Sequence, residues 1–184
     1  AGRMGASRSK YSVIIVGLDG AGKTTMLYNL RLGDVRENFA ETNGFNYEVL
    51  ERVYSKTRFQ FHMFDLAGKE ALRPLWKHFY RNLKPHVVVF VVDASDKERI
   101  GEAKKEFQKL LHESDLFNSV VIVLANQKRV VKTDPLDTQM KESDIRYEME
   151  VPREVVVIEV DAQETHELTH VMHHICQQLL KNKS

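Results

Sequence analysis

The sequence has little of several things, and each scarcity excludes a class of protein. Cys176 is the only cysteine among 184 residues, so no disulfide can form within the chain and a reducing compartment is expected. The longest apolar run, at 87–92, is far shorter than the roughly 20 residues of a membrane-spanning helix. The 27 basic and 26 acidic residues nearly cancel, so the concentrated basic surface of a dedicated nucleic-acid binder is not expected.

The sequence also has no internal repeat, proline-rich linker or low-complexity tract. It therefore predicts a single domain over 11–184, preceded by a flexible tail over 1–10. One interpretation of residues 1–3 is a cloning remnant ahead of Met4. The pattern M-G-x-x-x-S that begins at Met4 then predicts myristoylation of Gly5, with a disordered basic tail as the alternative. A single acyl chain would give only reversible membrane binding.

Four runs of β-branched and apolar residues alternate with helix-length gaps. The runs occupy 11–16, 86–92, 119–125 and 154–160. They are apolar on both faces, which is typical of parallel strands covered by helices on both sides. Helices are expected at about 23–32, 97–112, 136–148 and 164–181.

Two further segments, 45–53 and 58–64, alternate in polarity and are joined by the short stretch Y-S-K-T. They predict a hairpin that adds one antiparallel edge strand. Together with the alternating strands and helices, this pattern predicts a doubly wound α/β fold with a six-stranded, mostly parallel sheet. In such sheets the ligand binds at the carboxyl ends of the strands.

The stretch G-L-D-G-A-G-K-T-T at 17–25 lies between the first predicted strand and the first predicted helix. Its spacing is that of the Walker A loop, in which backbone N–H groups and a helix N-terminus bind phosphate. Lys23 is expected to contact the β- and γ-phosphates, and Thr24 to ligate Mg²⁺. The alternative is a glycine-rich turn with an exposed lysine, but the flanking elements favour a phosphate loop. Its candidate nucleotide-binding residues are Asp19, Gly20, Ala21, Gly22, Lys23, Thr24 and Thr25.

Two later segments carry residues that could respond to the bound phosphate. Asp65 ends the second hairpin strand, where a carboxylate can hold Mg²⁺ through a water, and Gly68 would let a backbone N–H approach the γ-phosphate. Thr42 offers a hydroxyl and a carbonyl that could complete the coordination of the ion. Because both segments flank the hairpin, loss of the γ-phosphate would release them together.

Five motifs, in this order, resemble the ADP-ribosylation factor (Arf) and Arf-like small GTPases: G-L-D-G-A-G-K-T-T, T-x-G-F-N, D-x-x-G, L-R-P-L-W-K-H-F-Y and V-V-D-A-S-D-K-E-R-I. The resemblance covers the chain from residue 11 onward. It implies a monomeric switch that binds GTP or GDP with Mg²⁺ and acts in membrane or vesicle trafficking. It also implies a cytoplasmic or peripheral membrane location, and effectors, an exchange factor and a GTPase activator as partners.

The resemblance further implies that Phe45, Trp76 and Phe79 form an exposed apolar patch, which effectors contact in the triphosphate state. Each aromatic residue could instead lie in the core, as aromatic residues in half-buried elements usually do. The charged residues that flank Trp76 in the sequence favour a surface position for it.

The base-reading motif departs from the family pattern N-K-x-D. It reads Asn126-Gln127-Lys128-Arg129 here, so a donor-only arginine replaces the carboxylate that accepts hydrogen bonds from guanine. Asn126 is retained as a scaffold residue, and either Gln127 or Lys128 could replace the missing lysine stem. The backbone N–H of Ala162 is the remaining candidate base contact. The preference for guanine over adenine is therefore expected to be weak.

A second departure is Lys69, which stands where the family carries a glutamine that orients the attacking water. Lysine has no acceptor, so intrinsic GTP hydrolysis is predicted to be very slow, and Lys69 itself is the candidate catalytic residue. A nucleotide-binding scaffold without turnover, or with relaxed base choice, is the alternative function. A nucleotide kinase is disfavoured because no arginine-bearing lid segment is evident.

A third hypothesis comes from H-E-L-T-H at 166–170, which matches the H-E-x-x-H pattern of zinc hydrolases. On a helical wheel the apolar residues of 164–181 form one stripe, and the histidines fall on the opposite, solvent side. No acidic residue follows in the sequence to supply a third ligand. A solvated, histidine-rich helix face is therefore the favoured interpretation.

Overall fold

The strands form one sheet in which a single edge strand is reversed. The computed structural model describes residues 8–32, 42–128 and 139–182. In these ranges the strands are β1 (Arg8–Val16), β2 (Phe45–Tyr54), β3 (Thr57–Leu66), β4 (Val87–Asp93), β5 (Val120–Asn126) and β6 (Val156–Val160). Their order is β2-β3-β1-β4-β5-β6, and β2 pairs antiparallel with β3 while the other pairs are parallel. The predicted doubly wound, mostly parallel sheet is confirmed.

Helices cover both faces of the sheet. Over the same ranges they are α1 (Lys23–Leu32), α2 (Trp76–Leu83), α3 (Ile100–Leu111), α4 (Glu142–Glu148) and α5 (Thr165–Lys181), with short 3₁₀ helices at Glu70–Leu75 and Ser114–Leu116. Helices α1 and α5 pack on one face, and α2, α3 and α4 on the other. None of the helices in the described part of the chain is long and apolar enough to cross a bilayer.

The central strands are apolar on both sides because both sides are covered. On β1, Val13 and Ile15 pack with α1 and α5, whereas Ile14 and Val16 pack with the helices of the other face. This split follows from the two-residue period of a strand. The carboxyl ends of β1, β3, β4 and β5 therefore meet at one edge, where the candidate loops lie.

The connection between β2 and β3 has two residues, which is the shortest length common in β-hairpins. Ser55 and Lys56 form the turn between β2 and β3 with φ values of +48° and +64°, the left-handed pair that a type I′ turn requires. The hairpin that the sequence predicts is thus present, with strands slightly longer than expected.

Several predicted boundaries were wrong. Strand β1 begins at Arg8, so residues 8–10 belong to the sheet rather than to a tail, because the ladder with Arg58–Gln60 continues to that end. Helix α3 begins at Ile100 rather than near residue 97, because the preceding residues form turns. Helix α2 was not predicted as a helix. Gly5 and the first part of the helix predicted at 136–148 lie outside the described residues.

Candidate functional site

The loop after β1 curls tightly at the carboxyl edge of the sheet, and two glycines make this possible. Gly17 has φ +142°, and a Cβ there would lie 2.2 Å from the Val91 carbonyl oxygen. Gly22 has φ +96°, and its Cβ would lie 2.2 Å from Asn126 Nδ2. Any side chain at either position would be both strained and obstructed. Helix α1 begins directly after the loop, so the loop and the helix N-terminus face the same space.

Lys23, the first residue of α1, folds back over this loop. Its side chain is buried, and its ammonium donates to the Leu18 carbonyl at 2.8 Å. Burial lowers the pKa of Lys23 to about 8, although the carboxylates of Asp65 and Asp19 oppose the change. A buried ammonium at the N-terminus of a helix is an arrangement that an anionic phosphate would compensate.

Three oxygen-bearing side chains from separate segments meet next to Lys23. Thr24 Oγ1 donates to Asp65 Oδ2 at 2.6 Å and lies 3.0 Å from Thr42 Oγ1. Thr42 Oγ1 is 3.4 Å from the same carboxylate oxygen, which also accepts from Asn46 Nδ2 at 2.9 Å. The sequence predicted this grouping except for Asn46. Asn46 is the last residue of the T-x-G-F-N motif, but no role was predicted for it.

The carboxylate of Asp65 is fully buried, yet its second oxygen, Oδ1, has no hydrogen-bond partner among the described residues. A buried carboxylate oxygen without a donor is costly. Together with the hydroxyls of Thr24 and Thr42, it forms the hard oxygen set that Mg²⁺ prefers. The residues present therefore fit Mg²⁺, with Thr24, Thr42 and Asp65 as the groups that would hold it directly or through water.

Two segments, 42–46 and 65–80, here called the first and second switch segments, contact each other and the phosphate loop. The Ala67 N–H donates to the Gly44 carbonyl at 2.9 Å. A Cβ on Gly68 would lie 2.5 Å from the Asp19 nitrogen and the Gly17 carbonyl oxygen. Gly68 therefore lies directly against the loop, where a larger residue would not fit.

A cluster of charges, which sequence reasoning missed, ties the second switch segment to the loop. The buried Arg73 donates to the Gly68 carbonyl and to Glu102, each at 2.6 Å, and lies 3.4 Å from Asp19 Oδ1. Arg99 donates to Asp19 Oδ1 at 3.1 Å and to its carbonyl at 2.9 Å. Burial raises the pKa of the Asp19 carboxyl, but the charge and hydrogen bonds of Arg99 outweigh it and the net pKa is lowered.

At the other end of the loop, Asn126 links three elements. Its Nδ2 donates to the Ala21 carbonyl at 2.9 Å, and its Oδ1 accepts from the Ala162 N–H at 2.9 Å. The predicted scaffold role of Asn126 matches these contacts. The Ala162 N–H, the predicted base contact, is bonded to Asn126 in this structure, and the base contact stays a prediction.

The structure separates the two candidates for the missing lysine stem. Gln127 turns away from the loop and donates to the Met140 carbonyl at 2.8 Å. Lys128 instead reaches the loop, where its ammonium donates to the Gly20 carbonyl at 2.7 Å and pairs with Asp93. Gln127, the predicted base contact, therefore lies away from the phosphate loop, and Lys128 is the candidate that reaches it. Arg129 lies outside the described residues.

Lys69, the candidate catalytic residue, lies at the junction of the two switch segments. Its ammonium is 3.5 Å from Asn43 Oδ1. The side chain is partly exposed, so it could move toward the phosphate end of the site.

The exposed aromatic patch differs from the predicted one by one member. Phe45 is 52% exposed, with its ring 5.2 Å from Phe79 and 6.2 Å from Phe64. Trp76 is only 5% exposed, and its indole N–H donates to the Ala67 carbonyl at 2.9 Å. The prediction of an exposed Trp76 was wrong because the start of α2 turns this side chain into the core. The patch is therefore Phe45, Phe64 and Phe79.

Phe64 could have been found from its strand. Residues Phe59, Phe61 and Met63 of β3 are buried, so the two-residue period directs Phe64 to the opposite side. Tyr47 of the neighbouring strand, with its ring 4.9 Å from Phe64, continues the patch along β2.

Helix α5 has the two faces that the sequence predicts. Its apolar stripe, which includes Leu168, Met172 and Ile175, is buried, and His166 and His170 are exposed. The residue between them in the zinc-hydrolase pattern, Glu167, accepts a hydrogen bond from the Asp161 N–H at 2.7 Å. No group of three or more metal-ligating side chains is found among the described residues. The hydrolase hypothesis thus has no support in the described residues.

A glycine loop with a buried lysine, set before a helix on a doubly wound sheet, defines a P-loop protein with the small GTPase fold. The family model described as "ADP-ribosylation factor family" matches residues 2–179. The chain therefore belongs to the ADP-ribosylation factor family of small GTP-binding proteins.

Among solved structures, the chain is similar to the Arl6 (BBS3) small GTPase from Trypanosoma brucei with the bound nucleotide analogue GppNp. The match has a TM-score of 0.71 and 22% sequence identity, and it covers 92% of this chain and 99% of that chain. At this identity the similarity concerns the fold.

Proposed function

We propose that this protein is a Mg²⁺-dependent GTP/GDP switch. The observation that carries the proposal is the meeting of Thr24, Thr42 and Asp65, with one buried carboxylate oxygen left without a partner among the described residues. These residues come from α1, the first switch segment and the end of β3. A bound metal–triphosphate would therefore hold both switch segments to the loop, and loss of the γ-phosphate would free them.

Different residues of the chain would bind different parts of the phosphate groups. Lys23 and the loop N–H groups would bind the phosphate oxygens, and Gly68 would bring its backbone close to the terminal phosphate. Mg²⁺ held by the oxygen set would neutralise charge on the phosphate oxygens. Lys128 would lie under the base, because its stem runs from the end of β5 to Gly20.

We expect the protein to hydrolyse bound GTP only slowly. In the proposed role Lys69 can donate to a phosphate oxygen but cannot accept a hydrogen bond from water, so it cannot orient the water as a glutamine does. Arg73, the buried cation of the second switch segment, is held by Gly68 and Glu102. We expect very slow intrinsic turnover, and these features also favour the second candidate function, a nucleotide-binding scaffold without turnover.

The aromatic patch of Phe45, Phe64 and Phe79 is the proposed effector surface. It joins the first switch segment, β3 and α2, so its shape depends on the positions of both switch segments. Membership of the Arf family supports effectors and an exchange factor as partners, and a GTPase activator. It also supports a trafficking role, as a monomer in the cytoplasm or peripherally on membranes.

The nucleotide can be identified directly. Nucleotide released from the purified protein by denaturation should include GDP or GTP when compared with standards on chromatography, and a weak base preference predicts ADP or ATP beside it. Binding of a fluorescent GTP analogue should weaken when EDTA removes Mg²⁺. It should be lost in Lys23→Ala but retained in Lys105→Ala, which removes an exposed lysine of α3. Equal binding by wild type and Lys23→Ala would refute the phosphate-loop assignment.

A further inference from the structure

Two exposed histidines lie close together on the first two turns of α5, away from the nucleotide site. His166 and His170 are four residues apart and so share one helix face. Their Nε2 atoms are 3.2 Å apart, and the ring centroids are 4.5 Å apart with the rings nearly perpendicular. Both side chains are exposed, so both nitrogens are accessible from solvent.

The separation of the two nitrogens suits a shared metal ion. A zinc ion about 2.1 Å from each Nε2 would see nitrogens 3.2 Å apart at an angle of about 100°. That angle lies between those of octahedral and tetrahedral coordination. Rotation of the two rings turns both Nε2 lone pairs from their mutual hydrogen bond onto one ion, and water can occupy the remaining positions because the site is open.

The helix backbone under the pair is held in place. Leu168 and Val171 lie in the buried core beneath it. Glu167 accepts from the Asp161 N–H at 2.7 Å, which anchors the first turn of α5 to the preceding loop. This anchoring limits the entropy lost when a metal fixes the two imidazoles. It also occupies one carboxylate oxygen of Glu167, the residue that the zinc-hydrolase pattern uses as a general base.

His173, one turn further, does not join the pair in this structure. Its ring centroid is 6.4 Å from that of His170 and 5.4 Å from that of Tyr54. The absence of a three-ligand group in the described part of the chain agrees with this geometry.

We propose that His166 and His170 form a two-histidine site for a divalent transition-metal ion, with water completing the coordination. Imidazole suits Cu²⁺, Ni²⁺ and Zn²⁺, and affinity is expected to be highest for Cu²⁺. The bound ion links the first two turns of α5 to each other. The site needs neither nucleotide nor Mg²⁺.

Calorimetric titration of the purified protein with Cu²⁺ and Zn²⁺, in excess Mg²⁺, tests the proposal. Mg²⁺ fills oxygen sites but binds imidazole poorly. We expect one ion per chain, a binding step that is lost in His166→Ala and in His170→Ala, and a metal-dependent rise in Tm that disappears with it. Both side chains are exposed, so circular dichroism should show an unchanged fold.

His112→Ala is the matched control, because it removes an exposed histidine from another part of the surface. It should bind one ion as wild type does. Equal loss of binding in the control, or binding that survives in the double variant His166→Ala/His170→Ala, would overturn the proposal. So would the absence of any binding step in wild type. None of these results depends on whether the nucleotide site works as proposed.

Discussion

The burial of Trp76 leads to a prediction that distinguishes two roles for this residue: a core residue and a residue that contacts effectors. Trp76 belongs to the same buried cluster as Val16, Leu66 and Phe107, on the face of the sheet that α2 and α3 cover. Its indole N–H is the donor for the Ala67 carbonyl, which lies in the second switch segment. Trp76→Ala would therefore both empty part of this core and leave that carbonyl without its donor.

The magnitude follows from these two losses. Truncating a buried tryptophan to alanine typically costs about 3–5 kcal/mol, and the stranded carbonyl of Ala67 moves the expected loss toward the upper end. That is a large part of the roughly 5–15 kcal/mol that stabilises a typical domain. For a chain of this size it corresponds to a fall in Tm of about 6–20 °C. Trp76→Phe keeps most of the volume, so it should cost about 1–3 kcal/mol.

Urea unfolding followed by far-ultraviolet circular dichroism measures the free energy of unfolding without needing tryptophan fluorescence. Phe45→Ala is the control, because Phe45 is 52% exposed and its loss should change stability by less than about 1 kcal/mol. If Trp76→Ala left the free energy of unfolding unchanged while abolishing binding of a triphosphate-state partner, the buried position of Trp76 and this reasoning would both be refuted.

Three further predictions concern the nucleotide site. Lys128→Ala should weaken nucleotide binding in calorimetric titration more than Gln127→Ala, and the reverse order would contradict the assignment of the base-end lysine. Asn126→Ala strands the buried Ala21 carbonyl and Ala162 N–H, so urea unfolding should show a loss of about 2–6 kcal/mol. Lys69→Gln should speed single-turnover hydrolysis of pre-loaded GTP, whereas brisk hydrolysis that this change slows would make Lys69 catalytic in its own right.

Much of the fold could be predicted because its signals are local. The apolar runs that became β1, β4, β5 and β6 carry their own two-sided pattern, and the glycine spacing of the phosphate loop lies between two of the expected elements. Helix α2 was missed although its pattern was present. Trp76, Tyr80 and Leu83 follow helical spacing, but the preceding Pro74 and the short length weakened the signal.

The error over Trp76 has a simple geometric cause. The charged neighbours Lys77 and His78 are adjacent in sequence, yet successive residues of a helix point about 100° apart. Lys77 and His78 are exposed, whereas Trp76 and Tyr80, four residues apart, share the buried face. Charge beside a residue in the sequence therefore says little about its exposure when the segment is helical.

The contacts among Arg73, Asp19, Glu102 and Arg99 could not be predicted from any local pattern. They join the second switch segment, the phosphate loop and α3, and the most distant pair, Asp19 and Arg99, is 80 residues apart in sequence. Each of these side chains taken alone is typical of a solvated surface. Only the folded chain brings them together, and the network then links a switch element to the loop that it is expected to sense.

The base end of the site shows how a motif can change while part of its geometry persists. Asn126 ends β5, and the next N–H, of Gln127, still bonds to the Val160 carbonyl of β6, as in a strand, where side chains two apart point the same way. Asn126 and Lys128 both reach the loop, at Ala21 and Gly20, while Gln127 between them points to Met140. Lys128 lies one position later than the lysine of the pattern N-K-x-D, and its side chain nevertheless reaches the loop. It has an ammonium but no acceptor, so it can support a base without choosing guanine over adenine. We therefore expect the affinity for nucleotide to depend on Lys128 and the preference for guanine to stay weak.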